Sequence, residues 1–429
     1  MNRLHQWIDT GRNAMFQTLA QGATPLARYA ILAMLARVLV AREMDRCALY
    51  LASSLVLANL CDLGINVACI KFSAGAMEGR LHTQRRLFCA RVILAAVVAL
   101  SAVALATPVA VDVLHRPADS GVLCLAAGSA ALGAIASFTL AILQSERRFS
   151  RVAAVAGISA ALQIAPVALA ASGKISGLGL LVAADLLGKA AVIAANFGVL
   201  SRLFQAGPLP KAAAWSEMLG FARWIGLSMA VGAFSNYIPT LALARSGSEA
   251  SLSTYLLGAG LAGCIALPVQ AVSAVLLPEA MEARGRNGRA EYLKAWLPLT
   301  AVPALLAAPL LWFLAPWLGA LIGPRYAASV GVFRILALGQ LSLLVVNPVQ
   351  FLLYSLNRPA LCFAGDAFIA GTFGVLAFLP FAGPESVARS LLAAQSLGKL
   401  LILAATLRLS LARSAVLLAP AAAASGVAV

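Results

Sequence analysis

Among the cations inside long apolar stretches of this chain are Lys189, Arg223, Arg334 and Lys399. An ionisable side chain at bilayer depth is costly, so such residues face protein, a partner charge or a water-filled cavity. A cation held there suits an anionic group, and the planar fork of an arginine suits phosphate oxygens best. Arg223 lies in EMLGFARWIGLSMAVGAFSNYIP, six residues after Glu217 and flanked by aromatics, and is the leading phosphate-binding candidate; snorkelling to the membrane surface is its rival. Lys189 stands four residues after Asp185, so the two can pair across one helical turn. The acids in the apolar stretches are Asp62, Asp185 and Asp366, few for a cavity that would trade protons or cations. Asn59, Asp62 and Asn66 are spaced to share one helical face, which serves either an interhelical clamp or a transport path. Asn236 and Tyr237 precede Pro239, and Gln340, Asn347 and Tyr354 recur at sevens around Pro348. A proline beside polar groups is expected to kink or end its helix and to point to a transport path. Asp366, Gln395 and Lys399 are expected to make one further polar contact.

The elements that position these residues are membrane helices. The chain of 429 residues is 62% hydrophobic and only 11% charged, with a mean hydropathy of +0.90. That is too little charge to cover a water-exposed surface. Apolar segments of about 20 residues, enough to span a bilayer as a helix, recur between short polar loops. Twelve spans follow: 14–39, 47–72, 87–111, 121–143, 152–171, 178–200, 214–242, 254–277, 295–320, 328–354, 361–380 and 387–407. The alanine-rich tail, 414–429, is marginal for a thirteenth. The linker after span six falls near the midpoint and divides the chain into an N-terminal lobe, 1–205, and a C-terminal lobe, 206–413. Span two with its basic loop and span eight with PVQAVSAVLLPEAMEARGRNGR have similar outlines, as internal repeats of transporters do.

The net charge of +16 reads as a positive-inside bias and attraction to anionic lipid headgroups, with no nucleic-acid partner. With the N-terminus inside, seventeen loop Lys and Arg fall on the cytoplasmic side and seven on the other. Both ends of the bundle are therefore expected in the cytoplasm. Seven cysteines and three histidines show no metal-ligand spacing. The chain has no Walker loop, no HExxH and no loop long enough for a soluble catalytic domain, so ATP hydrolysis and enzymatic activity are not expected. No cofactor is called for, and the choice of H+ or Na+ as a coupling ion is not written in the residues.

Several stretches resemble the polysaccharide-biosynthesis membrane proteins, the O-antigen and capsule flippases of the multidrug/oligosaccharidyl-lipid/polysaccharide exporter superfamily. LARVLVAREMDRCALYLASSLVLANLCDLGINVACIKFSA, from Leu35, resembles their first two spans, with residues 61–65 at an "ldlGl" segment. FTLAILQSERRFSRVAAV (138–155) resembles their span-four junction, and LIGPRYAASVGVFRILALGQ (321–340), followed by LNRP (356–359), their span-ten signature. The resemblance implies an all-α polytopic protein with two six-helix lobes around a V-shaped cavity. It implies alternating access that carries an undecaprenyl-diphosphate-linked oligosaccharide from the cytoplasmic to the outer leaflet of the bacterial inner membrane. Glycosyltransferases and a glycan polymerase are the partners it implies. REMDR (42–46) lacks the glycine usual in the first external loop, and alanine replaces aromatics throughout, which leaves the sugar open. A drug or small-molecule antiporter of the same superfamily, a membrane-embedded glycan polymerase or ligase, and a non-transporting scaffold are the competing readings.

Overall fold

The computed structural model describes the backbone of residues 2–74, 80–170, 177–205, 215–245, 251–282, 285–355, 359–377 and 383–416. Some side chains within these helices, including those of Lys71, Arg223, Asn236 and Tyr354, lie outside the described residues, as does the tail beyond residue 416.

Alanine and leucine, the strongest apolar helix formers, dominate the chain, and in a bilayer a helix satisfies its backbone groups internally. The result is twelve helical segments among the described residues, one for each expected span. The first six are α1 (Asn2–Val38), α2 (Ala41–Leu60) continued by α3 (Ile65–Ala74), α4 (Arg80–Pro108) prolonged by a π turn, α5 (Ser120–Ser145), α6 (Phe149–Ala170), and α7 (Gly177–Ala195) with α8 (Phe197–Gln205). The second six are α9 (Trp215–Arg245), α10 (Ser251–Glu282), α11 (Gly285–Ile322), α12 (Ser329–Ser355), α13 (Pro359–Ala377) and α14 (Pro384–Val416). Among the described residues nine helices are long and apolar enough to cross a membrane, and a shorter apolar stretch, Ala360–Leu376, lies in α13.

Three expectations are corrected here. REMDR is not a loop but the first turns of α2. The connection expected at 278–294 is mostly helix, since α10 runs to Glu282 and α11 begins at Gly285. Pro239 and Pro348 end nothing: α9 and α12 run through them. Neighbouring helices and local adjustment re-satisfy the backbone groups a proline frees inside a membrane bundle.

The packing is duplicated. In the first half α1 packs on α6, α2 and α3 on α5, α4 on α5, α5 on α7, and α6 on α7. In the second half the helices at the same ordinal positions repeat the scheme: α9 on α13, α10 on α12, α11 on α12, α12 on α14, and α13 on α14. The contacts between lobes obey the same symmetry, α1 against α10 and α2 against α9. Parallel repeats related by an axis along the membrane normal produce this pattern. α4 and α11, equivalent in the two lobes, leave long apolar faces uncovered, with Leu100 and Leu305 each 71% exposed. Such faces belong against lipid.

One apolar cluster bridges the lobes, joining Leu39, Met44 and Tyr50 to Leu243, Tyr255, Tyr326 and Phe333. Polar contacts close the lobes at the end where α1 stops and α2 starts. The Asp45 Oδ1 accepts the Ser253 N–H at 3.0 Å, and the Arg325 Nη1 donates to the Leu39 carbonyl at 2.9 Å. Within the C-terminal lobe, α10 meets α12 at a glycine: a Cβ on Gly258 would lie 2.7 Å from the Ser329 carbonyl oxygen and from the Val332 Cβ. Gly263, on the same helix, has open space. Gly258→Ala should therefore destabilise the protein by about 1–3 kcal/mol through overpacking. Gly263→Ala should be neutral or gain up to ~1 kcal/mol, and thermal unfolding of both variants in detergent checks the contrast.

Candidate functional site

Span two breaks at its polar residues. α2 ends at Leu60, and a turn over residues 61–64 places Leu63 at φ 40° and Gly64 at φ 80° before α3 begins. Asn59, Asp62 and Asn66 therefore do not share a helical face, as their spacing predicts. Asp62 sits in the turn and caps α3: its Oδ1 accepts the Asn66 N–H at 3.0 Å and its Oδ2 the Asn66 side-chain amide at 3.1 Å. Arg91 of α4, 1% exposed, fills the space beside the break. Its Nη1 lies 2.9 Å from the Asp62 Oδ1 and also donates to the Cys61 carbonyl. Its Nε donates to the Ala134 carbonyl at 3.3 Å and its Nη2 to the Ser137 Oγ at 3.0 Å. One guanidinium thus neutralises the turn's carboxylate, takes a carbonyl the helix break leaves free, and ties both to α5.

A second cluster lies deeper in the same lobe. Lys189 pairs with Asp185 at 2.5 Å, the i, i+4 contact expected from the sequence. The same carboxylate oxygen accepts the Tyr50 hydroxyl at 2.7 Å and the Ser129 Oγ at 2.6 Å. Arg28 of α1 approaches the other oxygen at 3.9 Å, too far for a hydrogen bond. The two clusters share a cavity of about 250 Å³, lined among others by Arg28, Asn59, Asp62, Arg91, Gln163 and Lys189. Three cations face it, while the carboxylates at hand are Asp62 in the lining and Asp185 behind Lys189. Among the described residues, the Arg28 Nε, the Asp185 Oδ1 and the Asn66 Oδ1 are buried without a hydrogen-bond partner. A polar cavity of this size with unmet donors and acceptors holds water or a polar ligand, and the excess of positive charge favours an anion.

The other sequence candidates lie apart from this cavity. Arg334 lies over the Trp312 ring, 4.7 Å from its centroid, and its Nη2 donates to the Trp312 carbonyl at 3.1 Å. It sits on the flank between α11 and α12, beside the exposed Phe313 and Trp317. Lys399 is buried in the C-terminal lobe and donates to the Gly339 carbonyl at 3.0 Å and the Ser342 Oγ at 2.6 Å. Asp366 accepts the Ser228 Oγ at 2.5 Å, so Asp366, Gln395 and Lys399 do not form the joint contact expected of them. The Tyr237 hydroxyl bonds the Ser53 hydroxyl across the lobes at 3.1 Å. Gln340 and Asn347 are half-buried on α12. The side chains of Arg223 and Asn236 lie outside the described residues.

Arg28, Arg91, Tyr50 and Ser129 were not legible as site residues. Arg91 and Arg28 each sit in an expected span, 87–111 and 14–39, with no acid of its own to pair with. Among the described residues no three His, Cys, Asp or Glu side chains gather as a metal site would need.

The helix order, the duplicated packing and the two lobes define a fold, and comparison with solved structures identifies it. An inward-facing multidrug-resistance MATE family transporter of the MOP superfamily aligns with a TM-score of 0.71 at 12% identity, covering 92% of this chain and 95% of the other. The lipid II flippase MurJ, in an inward closed conformation, aligns at 0.68 and 13% identity over 92% and 90%. An outward-facing multidrug-resistance MATE family transporter aligns at 0.65 and 12% identity over 94% and 96%. This is the fold of transporters and flippases. The family described as polysaccharide biosynthesis protein matches residues 10–282, more than half the chain, and the chain belongs to it. No curated protein matches it.

Removing Arg91 would leave Asp62 buried and uncompensated. Arg91→Ala should cost about 3–5 kcal/mol. Arg91→Leu combined with Asp62→Asn should cost less than Arg91→Ala, which a double-mutant cycle in thermal melts measures.

Proposed function

We propose that this multi-pass membrane protein moves a lipid-diphosphate-linked oligosaccharide from the cytoplasmic to the outer leaflet of a bacterial inner membrane, for exopolysaccharide, capsule or O-antigen synthesis. The observation that carries this reading is the charge at the N-terminal cavity: three cations against two carboxylates, with the Arg28 Nε without a hydrogen-bond partner among the described residues. Burying an uncompensated charge costs several kcal/mol, and a diphosphate passing through the lobe offsets that cost. Asn59, Asn66, Ser137 and Gln163, in the lining of the same cavity, suit sugar hydroxyls.

Alternating access needs lobes that close at one end and reopen. The Asp45–Ser253 and Arg325–Leu39 contacts lie at the end opposite the N-terminus. The positive-inside bias puts that end outside and both termini in the cytoplasm. The state described is then closed outward. An undecaprenyl chain as the lipid, and glycosyltransferases and a polymerase as partners, extend the family membership and the likeness to the lipid II flippase MurJ. A polymerase or ligase would need an external catalytic loop, and the connections among the described residues are short.

A cation or drug antiporter is the second reading, and Asp366 favours it, since its one hydrogen bond among the described contacts is from a neutral hydroxyl. Asp62 and Asp185 speak against it because each already pairs with a cation.

A strain lacking the gene should accumulate lipid-linked glycan on the inner leaflet and lose surface polysaccharide. Wild type should restore export. Arg28→Ala should reduce it by roughly tenfold, the loss of one charged hydrogen bond. Export unchanged in the deletion strain would contradict the reading.

A further inference from the structure

The duplication extends to the polar residues, and one departure from it stands out. AADLLGKAAVIAA (183–195) of α7 matches AAQSLGKLLILAA (393–405) of α14, with Lys189 aligned to Lys399. Ser129 and Gly339 lie the same sequence distance apart as the two lysines, and each lysine donates to its own lobe's member of that pair. The two ammonium groups therefore occupy equivalent places between equivalent helices. The acids are not equivalent. Asp185, one turn before Lys189, aligns with Gln395.

Lys399 is 8% exposed and hydrogen-bonds a carbonyl and a hydroxyl, both neutral. An ammonium carries three donors, and the third has no partner among the described residues. The acids on α12, α13 and α14 are Asp366, held by Ser228, and Glu385, paired with Arg389 at 3.3 Å. A buried ammonium with no counter-charge among the described residues is costly, so the protein gains when an anion reaches it.

We infer that Lys399 is the anion anchor of the C-terminal lobe, binding the diphosphate of a prenyl carrier, while Lys189 is kept neutralised by Asp185 and does not. The acid lost at Gln395 gives the two lobes unequal affinity for the same headgroup and lets it pass from one lobe to the other. The diphosphate identity rests on the flippase reading; the asymmetry of the two lysines does not.

The test measures binding of farnesyl diphosphate to the full-length protein in nanodiscs by titration calorimetry, beside the export assay. Lys399→Gln should weaken binding roughly tenfold or more, and Lys399→Arg should retain it. Gln395→Asp installs the pair that the other lobe already tolerates, so it should keep the melting temperature and weaken binding equally. Asp185→Asn frees Lys189 from its neutralising acid and should tighten binding severalfold. Unchanged affinity in Lys399→Gln, equal losses in Lys399→Gln and Lys189→Gln, or no saturable binding to wild type would each overturn the inference. If Lys399→Gln binds normally while wild type exports glycan, the asymmetry falls and the flippase reading stands. If binding depends on Lys399 while wild type fails to export, the anchor stands and the flippase reading falls.

Discussion

Arg91 and Asp62 meet at 2.9 Å inside the N-terminal lobe, and much of the architecture follows from that contact. A carboxylate at bilayer depth needs a counter-charge, and a broken helix there needs donors for its freed carbonyls. One guanidinium supplies both. With the break secured, the turn at residues 61–64 presents its Leu63 carbonyl to the opposite lobe. Gly226 of α9 packs against that carbonyl, and a side chain larger than hydrogen would not fit. The pair therefore shapes the cavity on one side of span two and the seat of the other lobe on its far side.

Hydropathy made the twelve segments legible because each lies in a continuous apolar run, and the bilayer leaves the backbone little choice but helix. The linker after span six lies outside the described residues, and the packing repeat runs between the six segments before it and the six after it. The break in span two was not. Asp62-Leu63-Gly64 carries a turn signal, but the flanking residues are apolar enough for the run to read as unbroken. REMDR read as a loop because of its charges, yet Asp45 and Arg46 find partners in Ser253 and Asp119 and stay helical. Pro239 and Pro348 were expected to kink or end their helices, and neither ends one.

The site was legible in part. The spacing of Asp185 and Lys189 predicts their pair, because four residues along a helix fix the geometry. Their partners Tyr50, Ser129 and Arg28 come from three other helices, and no local pattern encodes such a meeting. Arg334 shows the converse. Its position inside a span suggested a cavity, but Trp312 on α11 offers its ring and a carbonyl at the membrane-facing flank. Intramembrane charge identifies residues that must find partners. Only the packing of the lobes says which partners.

The central claim is that two packed lobes carry a lipid-linked anionic glycan across the bilayer by reopening at alternate ends. The direct measurement is headgroup translocation in proteoliposomes of bacterial phospholipid. They would contain a fluorescent prenyl-diphosphate oligosaccharide and the purified protein, with arrival at the outer leaflet read by a membrane-impermeant quencher. The account predicts translocation well above protein-free vesicles, abolished by a disulfide between Asp45→Cys and Ser253→Cys and restored by reductant. Translocation no faster than in protein-free vesicles, or unaffected by the cross-link, would contradict it.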